Sequence, residues 1–242
     1  MKKPNCIFNM DETGVAMEPD QPKGIFLKGE RRPMMLLSGL KGQFTVAGCV
    51  SAAGFCLPPF VIIDRKRFNP AFAEGEVPGR AYGLSHNGWM DQELFHLWLK
   101  DHFLKYIPTT RPVILLMDGH RSHYNPETIR FASKNGAVLF TLPPNTTHMS
   151  QPLDRSCFGP LKTAWREVCH RFMCNSDQTV SRFSFSHLLH EAWDIAMTRK
   201  NIMNGFKVTG IFPFDRKALV PEPEDDTSPY SPLLTPPRHT NR

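Results

Sequence analysis

The chain has 242 residues, of which 40% are hydrophobic, and this is enough for one large domain with a real core. No apolar run approaches the roughly 18 residues of a membrane span, and the N-terminus lacks a signal peptide's apolar stretch, so a soluble intracellular protein is expected. The formal net charge is +6, although the tail 221–242 carries four acids and two arginines. The body up to residue 220 is therefore +8, which favours a polyanionic partner.

The six cysteines are scattered and include no CxxC pair. Cys169, His170 and Cys174 resemble part of a zinc site, but a second ligand pair at the usual spacing is missing. We therefore predict reduced thiols, as in an intracellular protein.

The N-terminal half predicts an antiparallel meander. Gly and polar residues at Glu12–Gly14 are expected to break the first strand just after Asp11, and Pro58-Pro59 is typical of an edge or a bulge in the third. Residues 17–34 and 70–87 are predicted to be irregular. The strands expected from apolar runs are Cys6–Met10, Gln43–Ser51 and Phe55–Ile63.

The C-terminal half predicts a helix, then a strand–helix–strand unit, and then helices. Asp91 is placed to cap the first helix, which carries His102 on its apolar face, and Asn125-Pro126 is placed to start the second. The uninterrupted apolar run Val113–Met117 predicts a central strand that joins the next strand by a parallel crossover. The later elements expected are a strand at Ala137–Leu142, helices at Phe158–Met173 and Ser186–Thr198, and a packed turn within 201–214.

Three aspartates lie where predicted elements begin or end. Asp11 and Asp118 each follow an apolar strand, and Asp154 stands just before a helix. The carboxyl ends of neighbouring strands converge on one crevice, where two carboxylates would repel each other unless a divalent cation such as Mg²⁺ bound between them. Taken singly, each aspartate also fits a turn or helix cap, and Glu12 is an alternative first ligand that faces the opposite side if the strand continues.

The motifs around these aspartates resemble the DDE superfamily endonuclease domain of pogo, Tigger and jerky-type transposases and of centromere protein B-like relatives. Thirty-five residues separate Asp118 from Asp154, which is similar to the spacing of the family's last two acids. The resemblance covers about Phe8 to Arg216. The matching segments are Phe8–Gly14, Leu115–His123, Leu142–Asp154, Gly159–Lys162 and Gly205–Pro213.

The resemblance implies an α/β fold of the RNase H-like kind, with a mixed sheet flanked by helices and a C-terminal helical extension. It also implies a Mg²⁺ or Mn²⁺ site and metal-dependent cleavage of DNA with strand transfer. Asp11, Asp118 and Asp154 match the three metal-ligand positions. His123 and His148 match polar positions beside those acids, where they support a ligand or contact phosphate; hydrogen bonding at the surface is the alternative.

The predicted domain spans residues 1–216, and 217–242 is predicted to be a Pro-rich, acidic, disordered tail. The helix-turn-helix domains that usually precede this region in the family are expected to be missing. The resemblance further implies nuclear residence and a homodimer, and the composition predicts no membrane partner. Basic residues expected to hold DNA phosphates are Lys23, Lys28, Arg31, Arg32, Arg65, Lys66 and Arg67.

Two other functions stay open from the sequence. The first is a domesticated protein that binds nucleic acid or another partner without turnover, although the intact set of three aspartates counts against it. The second is an unrelated RNase H-like ribonuclease or resolvase, which would share the fold and the metals.

Overall fold

The computed structural model describes residues 3–17, 42–65, 67, 69–70, 79–119, 125–143, 147–176 and 178–218. Its centre is a mixed six-stranded sheet in the order β4-β3-β2-β1-β5-β6. Strands β1, β2 and β3 form the predicted antiparallel meander, whereas β3–β4, β1–β5 and β5–β6 pair in parallel. The strands are β1 Ile7–Ala16, β2 Gln43–Ser51, β3 Phe60–Asp64, β4 Ala81–Ser85, β5 Val113–Met117 and β6 Ala137–Thr141.

Helices cover both faces of this sheet. A 3-10 turn, Pro4–Cys6, precedes β1, and the segment Trp98–Phe103 between the first two helices is π-helical. The helices are α1 Gln92–Leu97, α2 Leu104–Tyr106, α3 Pro126–Lys134, α4 Thr147–Ser150, α5 Pro152–Ser156, α6 Phe158–Ser176, α7 Phe185–Ala196 and α8 Arg199–Val208.

Alternation along β1 divides the buried residues between two cores. Phe8 and Met10 pack toward the layer formed by α1, the π-helical segment and α3. Ile7 and Val15 point to the other face, where they join the core formed with α5, α6, α7 and α8. Because successive side chains of a strand point to opposite faces, Asn9, Asp11 and Thr13 also face the second layer.

Several local predictions are confirmed. The Oδ1 atom of Asp91 accepts a hydrogen bond from Leu94 N at 2.8 Å and so caps α1. Asn125 caps α3 in the same way, through a bond from Glu127 N at 2.9 Å. His102 is a core residue, since it is 4% exposed and its Nε2 lies 2.8 Å from the carbonyl oxygen of Pro58.

The first strand is longer than predicted. Glu12–Gly14 does not break it, and Asp11 lies in mid-strand opposite Gly48 rather than at the strand's end. The reason is that β2 continues beside β1 as far as the pair Ala16 and Gln43, so the polar residues keep their ladder hydrogen bonds.

Two other N-terminal predictions are wrong in part. The third strand begins at Phe60, after Pro58-Pro59, and it lies inside the sheet rather than at an edge. In the segment between β2 and β3, Cys56 forms an isolated antiparallel bridge with Val50. The range 70–87 was predicted to be a loop, but it contains the edge strand β4, which pairs in parallel with β3.

The C-terminal region contains more helix than predicted. Asp154 lies within a separate five-residue helix, α5, and the expected turn within 201–214 begins as helix α8. The predicted central strand, the parallel crossover, and the long helices α6 and α7 are confirmed. The predicted tail falls outside the described residues from 219 onward, and the excursion 17–34 does so from 18 onward.

Candidate metal centre

Asp11 is the most enclosed of the three candidate ligands, with 8% of its surface exposed. Its Oδ1 atom accepts a hydrogen bond from Glu12 N at 2.9 Å. Its Oδ2 atom is buried and has no hydrogen-bond partner among the residues that the structure describes. Glu12 points away from this site, because its Oε2 atom accepts a bond from Met90 N at 3.1 Å on the other side of the sheet.

The parallel pairing of β1 with β5 brings Asp118 toward Asp11. Asn9 is the register partner of Leu116, and the two aspartates stand two residues further along their respective chains. Asp118 is half-buried at the carboxyl end of β5. The predicted convergence of these two segments is therefore observed, although Asp11 lies within its strand and not beyond it.

Asp154 approaches from the helical layer. It lies in α5, which packs against β1. The residue is exposed, unlike Asp11, and Lys162 on the following helix acts on it electrostatically. Three segments that are distant in sequence thus meet on the α5–α8 face of the sheet.

Burial and the neighbouring acids disfavour the ionised form of Asp11. Burial raises its pKa well above the usual range, and the negative charge of Asp154 raises it further. The hydrogen bond from Glu12 N lowers it, and the charges of Asp118 and Glu12 raise it. Each of the two other predicted ligands is therefore close enough to oppose ionisation of Asp11.

Asp154 belongs to the same electrostatic group. Partial burial of its carboxyl group raises its pKa, the positive charge of Lys162 and a hydrogen bond with Asp11 lower it, and the charge of Asp118 raises it. A carboxyl group can donate that bond only while it holds a proton. When both groups are ionised, Asp11 Oδ2 is left buried without a partner, whereas a proton on Asp11 turns repulsion into a hydrogen bond.

These residues fit a hard divalent cation. Mg²⁺ and Mn²⁺ prefer carboxylate oxygens, and a cation in place of the shared proton would remove both the mutual repulsion and the unpartnered Oδ2 atom of Asp11. Within the described ranges, no three His, Cys, Asp or Glu side chains are already arranged as a complete metal-binding group.

Comparison with known proteins decides the family. The DDE superfamily endonuclease family matches residues 41–206. The chain belongs to this family. The resemblance inferred from the motifs is thereby confirmed.

Two related proteins align with most of the chain. The chain is 28% identical over 213 residues to the MFS-type transporter clz9 of Cochliobolus lunatus, and the alignment covers 86% of this chain and 23% of that protein. It is 26% identical over 241 residues to CENP-B homolog protein 2 of Schizosaccharomyces pombe, covering 91% of this chain and 45% of that protein. The chain thus spans less than half the length of these relatives. Across the described residues, no helix is long and apolar enough to cross a membrane.

Solved structures of the Mos1 transposase share the fold. The pre-cleavage Mos1 transpososome matches with a TM-score of 0.51 and 12% identity, covering 89% of this chain and 55% of that chain. The Mos1 strand transfer complex matches with a TM-score of 0.52 and 12% identity, covering 85% and 52%. The predicted mixed, RNase H-like sheet with flanking helices is therefore confirmed for this member of the DDE superfamily.

The remaining predicted site residues are only partly described. Arg65 and Arg67 follow β3 and are exposed. The backbone of His148 lies in α4, but its side chain is outside the described part of the structure. The predicted residues that lie wholly outside the described ranges are Lys23, Lys28, Arg31, Arg32, Lys66 and His123.

The arrangement of Cys169, His170 and Cys174 does not match a zinc site. Cys174 Sγ lies 3.8 Å from His170 Nε2 on the exposed side of α6, while Cys169 is fully buried. All six cysteines are free, as predicted.

Two buried polar residues beside the acids were missed by the sequence reasoning. Asn9 and Gln151 are both 0% exposed, and they contact each other between β1 and α5. Asn9 gives a usable signal, because it is a polar residue within the apolar run that precedes Asp11. Gln151 gives no such signal, since it belongs to a stretch that is polar throughout.

The raised pKa of Asp11 predicts a pH-dependent effect of Asp11→Asn on stability without metal. Because the folded pKa exceeds the unfolded one, the fold retains a proton that the unfolded chain releases. The contribution is fully present below the unfolded pKa and is lost as pH rises through the folded pKa. At pH 8 in chelator, Asp11→Asn should therefore raise the free energy of unfolding by about 1–3 kcal/mol, the cost of an unsatisfied buried group.

Urea unfolding at pH 8 and at the lowest pH where the protein stays folded measures this effect. The gain should shrink at low pH, and added Mn²⁺ should stabilise the wild type more than Asp11→Asn. Asp101→Asn, at an exposed position on the far helical layer, is the control. A loss of stability in Asp11→Asn at pH 8 would show that its carboxylate is not strained.

Proposed function

We propose that this domain cuts DNA by metal-dependent phosphoryl transfer and that Asp11, Asp118 and Asp154 hold Mg²⁺ or Mn²⁺. The observation that carries this proposal is the electrostatic group formed by three acids from three separate segments. The buried Oδ2 atom of Asp11, which has no partner among the described residues when both acids are ionised, gives that group a ligand oxygen. Membership in the DDE superfamily endonuclease family supports the same reaction class.

The three acids have different surroundings and therefore different roles in this proposal. Asp11 is buried in a paired strand and supplies the fixed ligand. Asp154 is exposed on α5 and faces the side from which a substrate arrives. Lys162, whose charge acts on Asp154, is placed to bind a DNA phosphate brought to the same site. When bound, divalent ions in such sites activate the attacking oxygen and stabilise the leaving oxygen.

DNA is the proposed partner. The body of the chain has a charge of +8, and Arg65 and Arg67 add exposed cations after β3. The Mos1 structures that share this fold are those of a pre-cleavage transpososome and of a strand transfer complex. We further propose that this chain acts as a homodimer in the nucleus. In this proposal, His123 and His148 support the metal ligands or contact phosphate.

A second candidate is a DNA-binding protein without turnover, and the match to CENP-B homolog protein 2 supports its DNA-binding part. The two candidates differ in what they require of Asp11. A protein that only binds DNA has no use for a buried Asp11 carboxylate that two neighbouring acids repel, and such an arrangement costs stability. The candidate with turnover therefore accounts for more of the site.

Nicking of supercoiled plasmid tests the proposal. Wild-type protein should convert supercoiled to open-circular DNA with Mn²⁺ or Mg²⁺, lose all activity in EDTA, and recover it when metal is restored. An RNA–DNA hybrid of matched length should be cut more slowly than duplex DNA. DNA binding without cleavage under every metal condition would favour the second candidate, and preference for the hybrid would favour a ribonuclease.

A further inference from the structure

The carboxamide of Asn9 is fully buried and bonded to both of the other acid-bearing segments. Its Nδ2 atom donates to the carbonyl oxygen of Leu116 at 3.2 Å and to Gln151 Oε1 at 2.6 Å. Its Oδ1 atom accepts from Leu153 N at 3.1 Å. One side chain therefore joins β1, β5 and α5 at a single point.

Each of these bonds ends within three residues of a predicted metal ligand. Asn9 itself is two residues before Asp11 in β1, and Leu116 is two residues before Asp118. Leu153 is the residue immediately before Asp154. The distances among the three carboxylates thus depend on one amide group through only one or two residues of backbone in each segment.

Asn9 also caps α5 from a distant position in the chain. The N-cap residue of this helix, Gln151, makes no capping hydrogen bond, and Pro152 at the first position has no N–H group. Leu153 N is an N-terminal amide that lacks a partner within the helix, and Asn9 Oδ1 supplies it. A five-residue helix does not hold itself in water, so this bond matters for where Asp154 lies.

The chemistry of the contact selects asparagine. The site presents one N–H group and three carbonyl-type oxygens, of which the oxygen of Met10 is the most distant at 3.4 Å, and a carboxamide offers an acceptor oxygen and two donor hydrogens to them. Aspartate has no donor at neutral pH, and leucine would leave these partners unsatisfied in a dry environment. The acceptor role of Asn9 Oδ1 also fixes the orientation of Gln151, which must present Oε1.

We infer that Asn9, oriented by Gln151, is the positioning residue that sets the separation of Asp11, Asp118 and Asp154. The inference rests on the proposed function. It differs from that proposal by assigning the assembly of the site to a residue that touches neither metal nor DNA. Loss of Asn9 should therefore weaken metal binding far more than it weakens the chemical step once metal is bound.

The test compares Asn9→Ala with Thr128→Val in two measurements. Thr128 is a fully buried residue on the other helical layer, where its Oγ1 atom lies 2.9 Å from His96 Nδ1, so Thr128→Val removes one buried hydrogen bond far from the acids. The first measurement is amide hydrogen exchange at Leu153. The second is the Mn²⁺ concentration that gives half-maximal plasmid nicking.

Asn9→Ala should expose Leu153 N to exchange at least about tenfold faster than in Thr128→Val, the ratio expected when a bond worth about 1.4 kcal/mol is lost. It should raise the half-saturating Mn²⁺ concentration by about 10- to 100-fold, as loss of outer-shell support does. The nicking rate at saturating Mn²⁺ should stay within about threefold of wild type, because the ligands themselves remain.

The outcomes separate the two proposals. A wild type that never nicks overturns the proposed function and this inference together. An active wild type in which Asn9→Ala and Thr128→Val show the same Mn²⁺ dependence overturns this inference alone, whatever their stabilities. Protected Leu153 in Asn9→Ala also overturns it, because α5 would then be held without the carboxamide.

Discussion

Asp118→Asn is expected to reduce metal-dependent nicking by on the order of 10³-fold or more while the protein still folds. Stabilisation by a bound ion contributes several kcal/mol to such a reaction, and each 1.4 kcal/mol is about a factor of ten in rate. Asp118 is half-buried at the end of β5, so the neutral amide fits its place without disturbing the core. A single-turnover plasmid assay measures the effect.

The matched control for this variant is Asp101→Asn. Asp101 is exposed in the π-helical segment, on the face of the sheet opposite α5. Its variant carries the same change in charge and should nick within about twofold of wild type, because exposed substitutions far from a site are usually silent. Equal nicking by Asp118→Asn and Asp101→Asn would remove Asp118 from the site.

Gly205→Ala is expected to destabilise the protein and to damage the site, although alanine is the better helix former by about 1 kcal/mol. Gly205 lies within α8, where α8 packs against α5. A Cβ atom there would overlap the backbone oxygen of Pro152 and lie 2.6 Å from Ser156 Oγ. Since backbone cannot move aside as a side chain does, α5 must shift, and Asp154 shifts with it.

The expected loss in Gly205→Ala is about 1–3 kcal/mol of unfolding free energy, the usual cost of overpacking. Gly159→Ala is the control, because a Cβ atom at Gly159 meets nothing within 4 Å and this residue also lies in a helix. Urea unfolding should separate the two variants clearly. A Gly205→Ala protein as stable as Gly159→Ala would show that the packing of α8 on α5 is not tight.

The fold was largely accessible from local patterns in the sequence. Val113–Met117 is apolar on both faces, and it is a central strand with helices on each side. The caps at Asp91 and Asn125 act as their residue types predict. These features depend on the chemistry of a few neighbouring residues, which the sequence displays directly.

The errors arose where a partner far along the chain decides the structure. Asp11, Glu12 and Thr13 are polar and suggest the end of a strand, but the length of β2 keeps them paired. Residues Ala81–Ser85 have no strong strand pattern, and β3 supplies the ladder that makes them a strand. Neither effect can be predicted from the residues of the segment itself.

The same distinction applies to the site. The approach of Asp11 and Asp118 follows from two neighbouring parallel strands, and it was predicted. The position of Asp154 depends on the bond between Asn9 and Leu153, which are 144 residues apart in the chain. The sequence around Asp154 contains no pattern that predicts this hydrogen bond. The structure was therefore needed to identify Asn9 as the residue that positions α5.

The most direct test of the account is Mn²⁺ binding measured by calorimetry with a short DNA duplex present. Wild-type protein should bind Mn²⁺, and Asp11→Asn, Asp118→Asn and Asp154→Asn should each weaken binding by at least about tenfold, because one site would draw ligands from all three segments. Binding that is unchanged in any of the three variants would remove that residue from the site. Binding unchanged in all three would contradict the claim that these aspartates form one metal centre.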